Sequence, residues 1–199
     1  GAMVFGTPGE EHLQLNEDTL WTGGPHDYNN PEAAKYLPEM RRLIFEGKEK
    51  QAEALGGKHM MGIPTRLQCY QPFGDLYLRF PGHEGGVEYQ RELDLNRAVA
   101  KCSYRVGDVN VTREVFASFP DQVIAIRLTT ERVGRLSFDV AFTSPHEGAV
   151  TRTVGEDTLL MTGQLGSRLA DKNWNGDWRD EGLRYAGRVR VIAEGGTVA

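Results

Sequence analysis

From Leu76 onward one pattern constrains the chain more than any other: short runs of alternating apolar and polar residues, closed by glycine or proline about every 12 residues. Leu76, Leu78 and Phe80 fall on one face with Tyr77 and Arg79 on the other, and Pro81-Gly82 ends the run. Ala98, Ala100, Cys102, Tyr104 and Val106 alternate with charged residues; Gly107-Asp108 then turns the chain into Val109, Val111, Val115 and Ala117, the signature of a hairpin. Further runs cover Val123 to Leu128, Leu136 to Phe142, Thr158 to Thr162 and Leu183 to Ile192. Six or more such strands without intervening helices predict a mainly β fold, a large antiparallel β-sandwich, and exclude a parallel α/β sheet.

The first third of the chain reads differently. Leu13 to Trp21 begins as a strand and breaks into Thr22-Gly23-Gly24-Pro25. Asn30 before Pro31 predicts a capped helix to about Tyr36, and Pro38 starts a second, with Met40, Leu43 and Ile44 on one face and Gly47 as its stop. Lys48 to Leu55 is a third helical stretch, ended by Gly56-Gly57. A small helical insert therefore lies near residues 31–61. At the other end, Thr197-Val198-Ala199 reads as the start of a further strand.

Charge and composition limit the function. A net charge of −5 disfavours a nucleic-acid groove, and apolar runs such as Val123 to Ile126 stop at four residues against the roughly 20 that span a bilayer. No nucleic acid and no membrane are expected as partners. Gly1 to Gly6 lacks the basic and apolar regions of a secretion signal, which leaves the compartment, cytoplasmic or secreted, unassigned. Cys69 and Cys102 allow at most one disulfide and do not form a cysteine-type zinc site. The glycines form no nucleotide loop, the five histidines lack metal-site spacing, and no cofactor is expected.

Three polar or aromatic clusters are candidate sites. Asn16-Glu17-Asp18 with Trp21, His26 and Asp27 holds two adjacent carboxylates, the residue type that glycosidic cleavage requires. Adjacency in a strand directs them to opposite faces, so the cluster is read as substrate-lining or interdomain before it is read as catalytic. Asp171, Asn173, Asn175 and Asp177 have the oxygen-ligand spacing of a calcium loop, but Gly182 stands where its closing glutamate belongs, and a polar hairpin tip is the simpler reading. Trp174 and Trp178 in the same loop can stack on sugar rings or cover a neighbouring domain.

Several segments together resemble glycoside hydrolase family 95, at its N-terminal domain. They are Gly1-Ala2-Met3-Val4-Phe5-Gly6, Leu15-Asn16-Glu17-Asp18-Thr19-Leu20-Trp21-Thr22-Gly23-Gly24-Pro25, and His59-Met60-Met61-Gly62. Tyr70-Gln71-Pro72-Phe73-Gly74-Asp75-Leu76, Tyr89-Gln90-Arg91-Glu92-Leu93-Asp94-Leu95 and Arg113-Glu114-Val115-Phe116-Ala117-Ser118 continue the likeness. The resemblance implies that residues 1–199 are one N-terminal β-sandwich, truncated at both ends, whose parent continues into a C-terminal α/α toroid. That toroid, in the same chain, would cleave α-linked L-fucose or L-galactose from a fucosylated glycan or oligosaccharide with inversion. The family's glutamic acid, aspartate and assisting asparagines lie in the toroid, so the resemblance places no catalytic residue in this chain and implies that it is inactive alone. It matches nothing between Ser167 and Gly182. The competing reading is a free-standing carbohydrate-binding module whose platform is Trp174 with Trp178, or Trp21 with Tyr28.

Overall fold

The computed structural model describes residues 1–23, 27–65, 68–165 and 182–199. The fold is mainly β, and the chain divides into two compact units. The first, Gly1–Leu20, Gln71–Gln164 and Arg184–Ala199, contains every described strand, and the second, Trp21–Tyr70 and Leu165–Leu183, contains the helices.

In the first unit β1 (Ala2–Gly6), β2 (Glu10–Leu15), β3 (Gly74–Arg79) and β8 (Asp139–Thr143) form an antiparallel sheet in the order β1-β2-β3-β8. A second sheet runs β4 (Val87–Asp94), β5 (Val99–Val106), β6 (Val109–Ser118) and β7 (Val123–Thr130) in sequence order. A third places β10 (Thr158–Gln164) between β9 (Val150–Val154) and β11 (Arg184–Arg190). Period-two alternation sets the register: Leu13 pairs with Leu76 and Leu76 with Phe142, and all three side chains are buried. Cys102, Tyr104, Val109 and Val111 form the corresponding core of the second sheet. Phe142 carries the first sheet's core towards the third, where Phe73 packs edge-on against Tyr185 with ring centroids 5.5 Å apart. Gly187 lies so close to Phe73 and Phe142 that a Cβ would come within 2.8 Å of both rings.

Three expectations need correction. The two short helices expected around Pro31 and Pro38 are one, α1 (Ala33–Phe45), with Pro38 inside it. One missing N–H does not break a helix whose Leu43 is buried further along the same stretch, and whose entry is held by Asn30 Oδ1 accepting from the Glu32 amide at 3.0 Å. Gly56-Gly57 does not stop α2 (Glu49–His59) but lies within it. A Cβ on Gly56 would stand 2.9 Å from Met40 Cε, the flexible end of a side chain of α1. The last turn is held from outside: Asn30 Nδ2 donates to the carbonyls of His59 and Met61 at 3.0 Å each, and His59 stacks on Tyr36 at 4.0 Å. Third, residues 197–199 form no strand; β11 ends at Arg190, and the chain turns at Gly195, whose φ is 78°. β1 and β9 are additional strands that the alternation pattern did not single out.

Candidate functional site

The Asn16 to Trp21 stretch lies just beyond β2. Because β2 ends at Leu15, Glu17 and Asp18 sit in a turn, and the strand parity expected to separate them does not apply. Glu17 Oε2 accepts from the Thr19 amide at 2.9 Å and the Thr19 hydroxyl at 2.6 Å, so the carboxylate is spent on closing its own turn. Asn16, Glu17 and Asp18 are exposed, whereas Leu20 anchors the segment at 1% exposure.

In the helical unit Trp21 forms an isolated antiparallel bridge with Tyr70, and their rings lie 5.3 Å apart at 55°. Buried Thr22 locks the bridge: its amide donates to the Cys69 carbonyl at 2.9 Å, and its hydroxyl accepts from the Cys69 amide at 3.0 Å. Asp27 Oδ1 caps the Asn29 amide at 2.9 Å, and the Tyr28 carbonyl accepts from the Ile63 amide at 3.1 Å. His26, the stacking candidates Trp174 and Trp178, and the calcium-loop candidates Asp171, Asn173, Asn175 and Asp177 lie outside the described residues. Among the described residues no three histidine, cysteine or acidic side chains converge as a metal ligand set. Cys69 and Cys102 are free thiols, and burial pushes the Cys102 thiol above its ordinary value.

The most tightly built polar cluster escaped the sequence reading. Glu11, on β2, is 1% exposed and divides its carboxylate between two arginines of the facing sheet: Oε1 accepts from Arg91 Nη2 at 2.7 Å and Oε2 from Arg113 Nη1 at 3.1 Å. Arg113 is equally buried, its guanidinium carbon 3.8 Å above the Phe80 ring and 4.6 Å from that of Tyr104. It also donates to the Thr7 carbonyl at 2.9 Å, the Pro8 carbonyl and the Tyr104 hydroxyl. Both terminal nitrogens are thus paired, which is what makes a buried charge tolerable, while Nε is buried with no hydrogen-bond partner. The cluster therefore pins the first sheet to the second and fixes which faces meet. Alternation marks the two residues in retrospect, since Glu11 shares parity with Leu13, and Arg113 with Val111 and Val115. Arg91 and Arg113 both belong to segments that carry the family resemblance.

His83 closes this network. The Tyr104 hydroxyl, accepting from Arg113, is also hydrogen-bonded to His83 Nδ1 at 2.8 Å. Burial, reinforced by the Arg113 charge, holds the His83 value below its ordinary 6.5. The unfolded chain binds this proton more readily than the folded one, so the contribution is complete above about pH 6.5 and is lost as pH falls through the lower folded value. The melting temperature is expected to fall on acidification from about pH 7 to about pH 5, and His83→Gln to flatten that part of the curve. Equal slopes for both proteins would contradict the assignment.

Three antiparallel sheets, a helical insert and an ionic pin, with the most conspicuous acidic pair in an exposed turn, define a β-sandwich domain. The chain belongs to the family described as glycosyl hydrolase family 65, N-terminal domain, whose profile matches residues 1–199. Among curated proteins it is 37% identical over 211 residues to an alpha-L-fucosidase 2 of Arabidopsis thaliana, covering 100% of this chain and 25% of that protein. It is 33% identical over 138 residues to a probable alpha-fucosidase A of Aspergillus niger, covering 65% of this chain and 17% of the relative, and 28% identical over 132 residues to its counterpart in Aspergillus oryzae, covering 65% and 18%. The chain thus spans about a quarter or less of the length of these relatives.

Proposed function

We propose that residues 1–199 are the non-catalytic N-terminal sandwich of a larger glycoside hydrolase of the family 95 type, which releases α-linked L-fucose, or L-galactose, from glycans with inversion. The cleaving carboxylates belong to an α/α toroid elsewhere in the same polypeptide. The sandwich supports that toroid, and its Asn16 to Trp21 stretch with His26 borders the mouth through which a fucosylated oligosaccharide enters. The observation that carries the reading is the alignment of the whole chain with one quarter of an alpha-L-fucosidase. Two engagements agree with it. Glu17 is tied to Thr19, and Glu11 is buried between two arginines, so each carboxylate is engaged in holding the fold.

The complete protein, given an α-L-fucosyl oligosaccharide in an NMR tube, is expected to release β-L-fucose first, with the α anomer growing in by mutarotation. First release of the α anomer contradicts an inverting enzyme. Absence of any release contradicts the fucosidase reading itself.

A further inference from the structure

We propose that Trp21 and Tyr70 form a sugar-stacking platform on this domain, for a neutral pyranose ring of the glycan that the parent hydrolase acts on; the ligand class rests on the function proposed above. Trp21 is 42% exposed and Tyr70 41%, yet neither sits on a loose loop. Each is one half of a β-bridge whose neighbouring Thr22 is 3% exposed and hydrogen-bonded to Cys69 in both directions. Gly23 continues the constraint, because a Cβ there would lie 2.4 Å from Gln68 Cδ.

Holding two large aromatic rings rigidly in water forgoes the burial that normally accompanies such ordering. Rigid aromatic faces are suited to the apolar C–H face of a sugar, and the planes, inclined at 55° with centroids 5.3 Å apart, form a shallow step rather than a flat patch. The half-buried Gln68 side chain is held beside the bridge, its Oε1 accepting from the Thr22 hydroxyl at 3.5 Å. The two exposed ring portions amount to on the order of 200 Å², enough for a single sugar ring.

The test is a titration of the 199-residue chain with a fucosylated trisaccharide, read from the indole N–H signals of its three tryptophans. Trp21→Phe identifies the Trp21 signal by its disappearance. Saturable movement of the Trp21 indole in the millimolar range is expected, weakened about 3- to 10-fold by Tyr70→Ala. A Trp21 signal that stays still, or movement confined to Trp174 and Trp178, overturns the platform. Fucoside hydrolysis by the complete protein, scored separately, keeps the two claims apart. Hydrolysis with a silent Trp21 overturns the platform alone. A responding Trp21 in a protein that releases no fucose upholds the platform and overturns the parent activity.

Discussion

Glu11→Leu is expected to destabilise the β-unit by about 3–5 kcal/mol, because it strands the buried Arg113 guanidinium without a counter-charge between two sheets. Arg113→Met should cost a similar amount. It leaves Glu11 to Arg91 alone and takes the donor from the Thr7 and Pro8 carbonyls and the Tyr104 hydroxyl. The double variant should lose clearly less than the sum of the two, since each single variant includes the cost of the orphan it creates and the pair together leaves an apolar contact. Arg91 is 25% exposed at its side chain and can turn to solvent once Glu11 is gone. Urea midpoints of the four proteins measure this coupling. Additive losses would mean that the carboxylate and the guanidinium do not form one unit.

Phe80→Ala should be about as damaging, at 3–5 kcal/mol and a fall in melting temperature on the order of 10 °C. Phe80 is fully buried, and its ring carries the Arg113 guanidinium on one side and meets Phe138 at 5.5 Å. The substitution opens a cavity and removes a cation–π contact made away from water, where such contacts are strongest. Phe80→Leu, which keeps most of the volume, should lose much less. Thermal and urea unfolding distinguish the two variants, and a loss below about 1 kcal/mol for Phe80→Ala would show that the packing at this seam relaxes around the hole.

How far the sequence carried the fold depends on the range of the signal. Alternation is local, and it located β3, the β5-β6 hairpin, β7, β10 and β11, together with the buried faces of Leu76, Leu78, Phe80, Cys102 and Tyr104. It did not single out β9, where all five residues are exposed and one face has nothing to bury. Proline and glycine were read as punctuation in the helical insert. There the helices continue past them: α1 runs through Pro38, and α2 runs through Gly56 and Gly57. The Glu11–Arg113 pin could not be paired from sequence. Parity reveals that each is a charge on an apolar face, but the partners stand 102 residues apart and belong to different sheets.

The candidate site divides in the same way. The polar cluster at Asn16 to Trp21 was conspicuous as residues, whereas the turn that occupies Glu17 and the bridge that brings Tyr70 to Trp21 arise only in the folded chain. Strand geometry was the wrong frame for Glu17 and Asp18, because β2 stops one residue before Asn16. Family resemblance and physics nevertheless meet at one place. Arg91 and Arg113 lie in segments that carry the family resemblance, and their side chains bond Glu11 across from one sheet to the other.

The central claim is that this chain serves a hydrolase without performing the hydrolysis. It is tested most directly by incubating a chromogenic α-L-fucoside with the 199-residue chain and, side by side, with the complete protein. We expect release of the chromophore by the complete protein and none by the chain. Turnover by the chain alone would contradict the account and make Glu17, Asp18 and Asp27 the first residues to substitute.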